Sequence, residues 1–211
     1  MKAKIIVIAV LLVLAAGLVL VSACSPAAPK VPTPTPTMSP LDVVKAHEEA
    51  FNLHDITSLM ALLTEEVVLR RPQDGDSYKG KDSVQGFMES WFGLNGEVHF
   101  TECTNSADMV TCKLAAVEDC VRSFGMDAYH WDASFKIVGD KISEITWDHD
   151  NSDDSRQYVG TWNKALAWSK KSLPNEYTQI MQYMQQDNYG HSLEKGKLVS
   201  KICKEFAASI K

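Results

Sequence analysis

The chain has 211 residues, 45% hydrophobic and 23% charged, with a formal net charge of −6 at pH 7. Its last 171 residues (41–211) carry 27 acids against 18 bases, a net of −9. That balance argues against nucleic acid as a partner and against direct adhesion to anionic lipid, while the length suffices for one domain with a sizeable core.

Lys2 and Lys4 precede an apolar run from Ile5 to Val21, interrupted only by Gly17, and Ser22-Ala23-Cys24 follows. A basic start, an apolar middle and small residues before a cut make a secretory signal. A retained membrane helix is the alternative, since the run is almost long enough to span a bilayer. Val21-Ser22-Ala23-Cys24 resembles the bacterial lipobox. That resemblance implies a signal peptide over 1–23, an acyl chain such as palmitate on Cys24, and a lipid-anchored domain on the extracytoplasmic side of the membrane. Six of the 16 residues from Ser25 to Pro40 are Pro. Such a stretch favours extended polyproline II and builds no core. At about 3.1 Å per residue it spans roughly 50 Å, so residues 24–40 read as a lipidated linker.

Four cysteines remain: Cys103, Cys112, Cys120 and Cys203. An even number outside the cytoplasm invites disulfides. No CxxC or Cys/His ladder suggests zinc. A two-residue turn at Ala107-Asp108 would set Cys103 opposite Cys112, although a one-residue slip would separate them onto opposite faces. Cys120 with Cys203 is the leftover pair.

Leu41 to His54 has helical spacing after the start signal Ser39-Pro40. Asp55 opens a second helix, Ile56 to Leu63. Val67-Val68-Leu69 reads as a strand closed by Pro72, and Tyr78-Lys79-Gly80 as at most a short extended piece. Lys81 starts a third helix to about Gly93. Val98–Thr104 with Met109–Val121, then Ala128–Val138 with Lys141–Asp148 around Gly139-Asp140, form two long hairpins. Tyr129, Trp131, Ala133, Phe135 and Ile137 share one strand face, and His130, Asp132, Ser134 and Lys136 the other. Helices follow from about Asp153 to Lys171, from Pro174 to Gln186, and after Ser192. The fold class expected is α+β: a curved antiparallel sheet packed on N-terminal helices over 41–150, with a helical extension over 151–211.

Ala50-Phe51-Asn52-Leu53-His54-Asp55 resembles the "A-x-N-x-x-D" helix end of the SnoaL-like, ketosteroid isomerase-like group within the nuclear transport factor 2-like superfamily. Ala61-Leu62-Leu63-Thr64-Glu65-Glu66-Val67 is similar to its "A-L-x-x-D/E-D/E-V" run, and Gly80-Lys81-Asp82-Ser83-Val84 to its "G-x-x-x-I/V" helix start. The resemblance implies a cone with a pocket between helices and concave sheet face. Fold alone does not give function, because the group holds enzymes and binding modules alike. Ketosteroid isomerases carry a Tyr on the first helix, a base Asp before the Pro of the first strand, and a protonated Asp on a later strand. Here those places fall on His47, Arg71 and about Asp132. Arg stays protonated and cannot abstract a proton, so this chemistry is disfavoured.

A pocket holding His47 and Arg71 suits an anionic group. The plain alternatives are a helix histidine at the surface and an ion pair of Arg71 with Glu65, Glu66 or Asp74. The expected ligand-binding lining is His47, Phe51, Met60, Arg71, Met88, Trp91, Trp131, Ala133, Phe135, Ile145 and Trp147; the apolar members serve equally as core. His47, Asp132, Asp148 and His149 are the candidate acid/base groups, with solvated or capping roles as the alternative. Asp148-x-Asp150-x-Ser152 starts like a calcium loop, but Asp153 stands where Gly is required and Val159 where the closing Glu is required. No metal and no cofactor are expected.

Three functions remain open. The favoured one is a lipid-anchored binding module for a small, mostly apolar, acidic ligand. The others are a SnoaL-like isomerase, cyclase or hydrolase, and an envelope interaction module that pairs as a homodimer or with another protein.

Overall fold

The computed structural model describes residues 38–72, 75–149, 153–186 and 190–211, which fall in one compact unit, Thr37–Lys211. The expected signal peptide, the lipidated Cys24 and the proline-rich linker lie outside the described residues, as do Asp74 and Asp150; of His149 only the backbone is described.

Helix α1 (Pro40–Asn52) begins where the Ser39 hydroxyl accepts from the Asp42 N–H, with Pro40 at the first position. Pro is tolerated there because that N–H has no helical partner anyway. Val43, Val44, His47, Ala50 and Phe51 form its buried stripe. Asp55 caps the short α2 (Ile56–Ala61) by accepting from the Ser58 N–H. The expected extension of α2 to Leu63 does not occur. Leu63 instead starts β1 (Leu63–Arg71) and pairs with Ile142. This strand is longer than the expected apolar triplet. An irregularity between Leu63 and Val68 breaks its alternation and hides its first half. β2 (Asp76–Lys79) pairs antiparallel with it, and α3 (Lys81–Gly93) follows as expected.

β3 (Glu97–Ser106), β4 (Met109–Val117), β5 (Tyr129–Val138) and β6 (Lys141–His149) complete a six-stranded sheet of order β2-β1-β6-β5-β4-β3. Only β1 and β6 run parallel. The strand expected to reach Val121 stops at Val117. The buried Glu118 carboxylate accepts from the N–H groups of Cys120 and Val121 and so starts a one-turn helix, α4 (Asp119–Ser123). Ser106 faces Met109 across the turn at Ala107-Asp108, and Cys103 is bonded to Cys112. The register does slip, but between Thr101 and Thr104, inward of the cysteines, where Glu102 takes φ 49°. On β5 Tyr129, Trp131, Ala133, Phe135 and Ile137 are buried, while His130, Asp132 and Lys136 are exposed, as the alternation requires.

The helices after β6 are α5 (Asp153–Ser172), α6 (Pro174–Met184) and α7 (Leu193–Ser209). They pack on the rest of the unit. α7 crosses α3 where Gly196 meets Ser90 and Gly93 meets Leu193: a Cβ on Gly196 would lie 2.0 Å from the Ser90 carbonyl oxygen, and one on Gly93 2.2 Å from that of Leu193. Backbones this close require glycine at both places. Cys120 and Cys203, both fully buried, bond α4 to α7. Ala165, Ile180, Ile202 and Phe206 form a second, smaller core among these helices.

Candidate functional site

A cavity of about 490 Å³ opens between the sheet end and the C-terminal helices. β1 and β2 supply Arg71 and Asp76, α3 supplies Phe87, Ser90 and Trp91, and β5 supplies Tyr129 and Trp131. Tyr158 and Trp162 come from α5, Ile180 and Met184 from α6, His191 from the turn before α7, and Lys195 from α7 itself. The walls are thus largely aromatic, and the charged residues among them are Arg71, Lys195 and Asp76.

Arg71 is the electrostatic centre. Its guanidinium carbon lies 5.8 Å from the centroid of the Phe87 ring and 5.9 Å from that of Trp131, so both ring faces attract it. Among the described residues, the Asp76 carboxylate lies 3.9 Å away and directly opposite in the β1–β2 ladder. Of the expected partners, Glu65 pairs instead with Lys81 at 2.8 Å, Asp74 lies outside the described residues, and the ladder brings Asp76 to Arg71. The charge of Arg71 acts on Tyr78, Tyr129, Tyr158, His191 and Lys195.

His191 is held neutral on two sides. Ser90 donates its hydroxyl to the Phe87 carbonyl at 2.7 Å, and its oxygen lies 3.0 Å from His191 Nδ1. With its single proton committed, Ser90 accepts from Nδ1–H. Nε2 lies 3.0 Å from the Tyr78 hydroxyl, whose single proton also reaches the Asp76 carboxylate at 3.3 Å. Burial, with Lys195 and Arg71 nearby, lowers the imidazole to about 3. Lys195 is buried, and its ammonium is lowered to about 8, first by burial, with Asp76 opposing and Arg71 reinforcing the shift. Tyr158 stacks on Tyr129 at 4.9 Å and hydrogen-bonds to Glu118, whose carboxyl burial raises to about 7. That bond fixes the Tyr158 ring on the cavity wall.

Of the residues expected from sequence to line a pocket, Arg71, Trp91 and Trp131 do so. The others do not, because aromatic side chains fill the cone where the pocket was expected. Phe51 meets Trp91, Phe92 and Trp147 at 6.1, 5.4 and 6.0 Å between ring centroids. Phe51, Met88, Ala133, Phe135, Ile145 and Trp147 are core, and Met60 packs against it. His47 is fully buried among Phe51, Phe100 and Phe135, and neither ring nitrogen has a partner. Burial lowers its imidazole to about 4. It is neither a surface histidine nor a member of the cavity. Asp132 is exposed and pairs with Lys113 at 2.6 Å, and Asp148 is exposed directly opposite it on β6. The His149 backbone pairs with Trp131.

Sequence reasoning missed Asp76, Ser90, Tyr129, Tyr158, Trp162, His191 and Lys195 as cavity residues. Only Lys195 left a local signal. Ser192 caps α7, so Lys195 is its third residue, where a capping box carries Glu or Gln. A cation there has the wrong sign for the helix dipole. Among the described residues, no group of three or more His, Cys, Asp or Glu could hold a metal ion.

The profile of the SnoaL-like domain matches residues 44–145. No curated protein matches the sequence. Solved structures do. An NTF2-like protein of unknown function from Cytophaga hutchinsonii is 12% identical, with TM-score 0.46, covering 56% of this chain and 95% of its own. A protein with ketosteroid isomerase-like fold from Catenulispora acidiphila, in complex with trimethylamine, is 15% identical, with TM-score 0.45, covering 53% and 87%. A Mycobacterium tuberculosis protein in complex with estradiol-17beta-hemisuccinate is 18% identical, with TM-score 0.45, covering 52% and 93%.

Proposed function

Residues 44–145 of this chain form a SnoaL-like domain, and we propose that the protein binds a small, mostly apolar carboxylic acid in the cavity between that domain and the helices after it. The observation that carries this is the charge arrangement. Arg71 and Lys195 line the cavity between aromatic walls, and Asp76 is the one lining carboxylate among the described residues. An incoming carboxylate meets net positive charge at low local dielectric, and its apolar body covers Trp91, Trp131 and Tyr129. Arg71 stands where a steroid isomerase needs a base, so proton abstraction at that place is absent from the reading. The acid/base groups expected from sequence fare no better: His47 is sealed in the core and Asp148 is on the outer face.

Calorimetric titration of the purified protein with 3-phenylpropionate and with its uncharged amide tests this. A charge-assisted hydrogen bond contributes about 1.5–3 kcal/mol, or roughly tenfold to hundredfold in affinity. The acid should bind tighter than the amide by at least tenfold, and Arg71→Met should erase the difference. Equal affinities in the unaltered protein, or no binding of either compound, would overturn it. The lipobox-like residues Val21 to Cys24 support a lipid-anchored, extracytoplasmic setting for this binding. Labelling of cells with radioactive palmitate, lost in Cys24→Ala, is the check.

A further inference from the structure

We propose that Lys195 is a carbonyl-capturing amine, forming an imine with the keto group of an aromatic 2-oxo acid whose carboxylate lies on Arg71. This rests on the reading of the cavity as an acid-binding site.

A lysine binds an anion through its ammonium charge. It must stay charged, and burial, the helix end and Arg71 work against that, with Asp76 opposing them. Its side chain lines the cavity with only 8% of the residue exposed, so the ammonium loses most of its hydration. It occupies the first turn of α7, where the Lys195 N–H donates to the capping Ser192 hydroxyl and the helix end is positive. Facing it are Arg71 from β1, Asp76 from β2 and the neutral His191 from the turn before α7. Arg71 repels a second cation, and Asp76 is shared with Arg71. With the ammonium lowered to about 8, about half of it is free amine at pH 8, whereas an ordinary lysine is well under 1% free amine there. A neutral amine adds little to anion binding, but it is the nucleophile that carbonyl chemistry requires.

The step balances without an oxidant or reductant. The amine lone pair attacks the carbonyl carbon, and the carbonyl oxygen takes up a proton as the nitrogen loses one, giving a carbinolamine. That hydroxyl then leaves with a further proton as water, and a carbon–nitrogen double bond remains. In a 2-oxo acid the carboxylate sits on the carbon next to the reacting carbonyl. Arg71 can therefore hold the acid while the aromatic walls take the ring.

The test is reductive trapping. The purified protein is incubated with phenylpyruvate and sodium cyanoborohydride at pH 8, then read by intact mass and peptide mapping. One adduct is expected, on Lys195, forming at least tenfold faster than on any other lysine. Its rate should rise with pH through a midpoint near 8. Excess 3-phenylpropionate should suppress it, an arm that needs no variant, and Lys195→Arg should abolish it. Adducts spread over surface lysines, or a Lys195 adduct that 3-phenylpropionate does not slow, would overturn the proposal. No adduct, with 3-phenylpropionate still bound in the calorimeter, would sink the imine and leave the acid-binding reading standing. Neither adduct nor binding would sink both.

Discussion

His47 makes a quantitative demand on stability against pH. It is fully buried, its two ring nitrogens lack partners, and its imidazole is lowered from the ordinary 6.5 to about 4 by burial alone. The folded state therefore refuses a proton that the unfolded state accepts. Between pH 6.5 and 4 the unfolded chain holds more protons, so His47 destabilises the fold progressively as pH falls. Below 4 both states are protonated and the loss stops. The whole span is about 2.5 pK units, or about 3 kcal/mol, of which somewhat less than half is lost by pH 5.5. The unaltered protein's curve alone is not the test. His191 adds a loss of the same sign, whereas Glu118, raised from 4.5 to about 7, gains stability as pH falls through that range. The difference between the protein and His47→Leu isolates the one group. Urea midpoints at pH 7.5, 5.5 and 4.5 should show the variant gaining on the parent by about 1 and then about 2–3 kcal/mol relative to pH 7.5. A difference that stays flat across this range would refute the claim that His47 is sealed and neutral.

Gly196→Ala drives a Cβ into the Ser90 carbonyl, so urea denaturation should show a loss of about 1–3 kcal/mol; full stability would contradict the close α3–α7 crossing. The Cys120–Cys203 bond closes a separation of 83 residues and the Cys103–Cys112 bond one of 9. On chain entropy, replacing the first pair with Ser should cost about 4.5 kcal/mol and the second about 2.6. Thermal melts of the two double variants rank them, and the reverse order would refute it. Asp132→Asn removes an exposed ion pair with Lys113, which is worth under about 1 kcal/mol; 3-phenylpropionate affinity should stay within twofold in the calorimeter.

What the sequence showed, it showed through local periodicity. The β5 alternation from Tyr129 to Ile137 gave the sheet face correctly, because burial on a strand has period two. Ser39, Asp55 and Ser192 marked helix starts for a local reason too, each accepting an N–H three residues on. The candidate site was less legible. Arg71 was visible as a charge at a strand end beside Pro72, but its partner Asp76 needed the β1–β2 register. His47 looked available on a helix, and only the packing of Phe51, Phe100 and Phe135 around it shows that it is not. The contributions of α5 to α7 were invisible. Nothing in their amphipathic pattern says which surface they cover, and the pair Gly93 and Gly196, 103 positions apart in the sequence, that lets α7 approach has no local signature.

The position of the cavity follows from how the cone is filled. The resemblance led to an expected space between helices and sheet, and the apolar residues there were read as either wall or core. Phe51, Phe87, Trp91, Trp131 and Trp147 resolve the question by packing against one another with centroid separations of 5.6 to 6.4 Å. Rings at that spacing leave no room for a ligand among them. Space survives only beyond this layer, at its rim, where Arg71 ends β1. There the sheet alone would leave Trp131 and Tyr129 facing solvent. The extension supplies the missing wall with Tyr158, His191 and Lys195, clamped by the glycine crossing and by the Cys120–Cys203 bond. The basic residues of the cavity come from both parts of the chain, Arg71 before residue 150 and Lys195 after it, so neither part makes this cavity by itself.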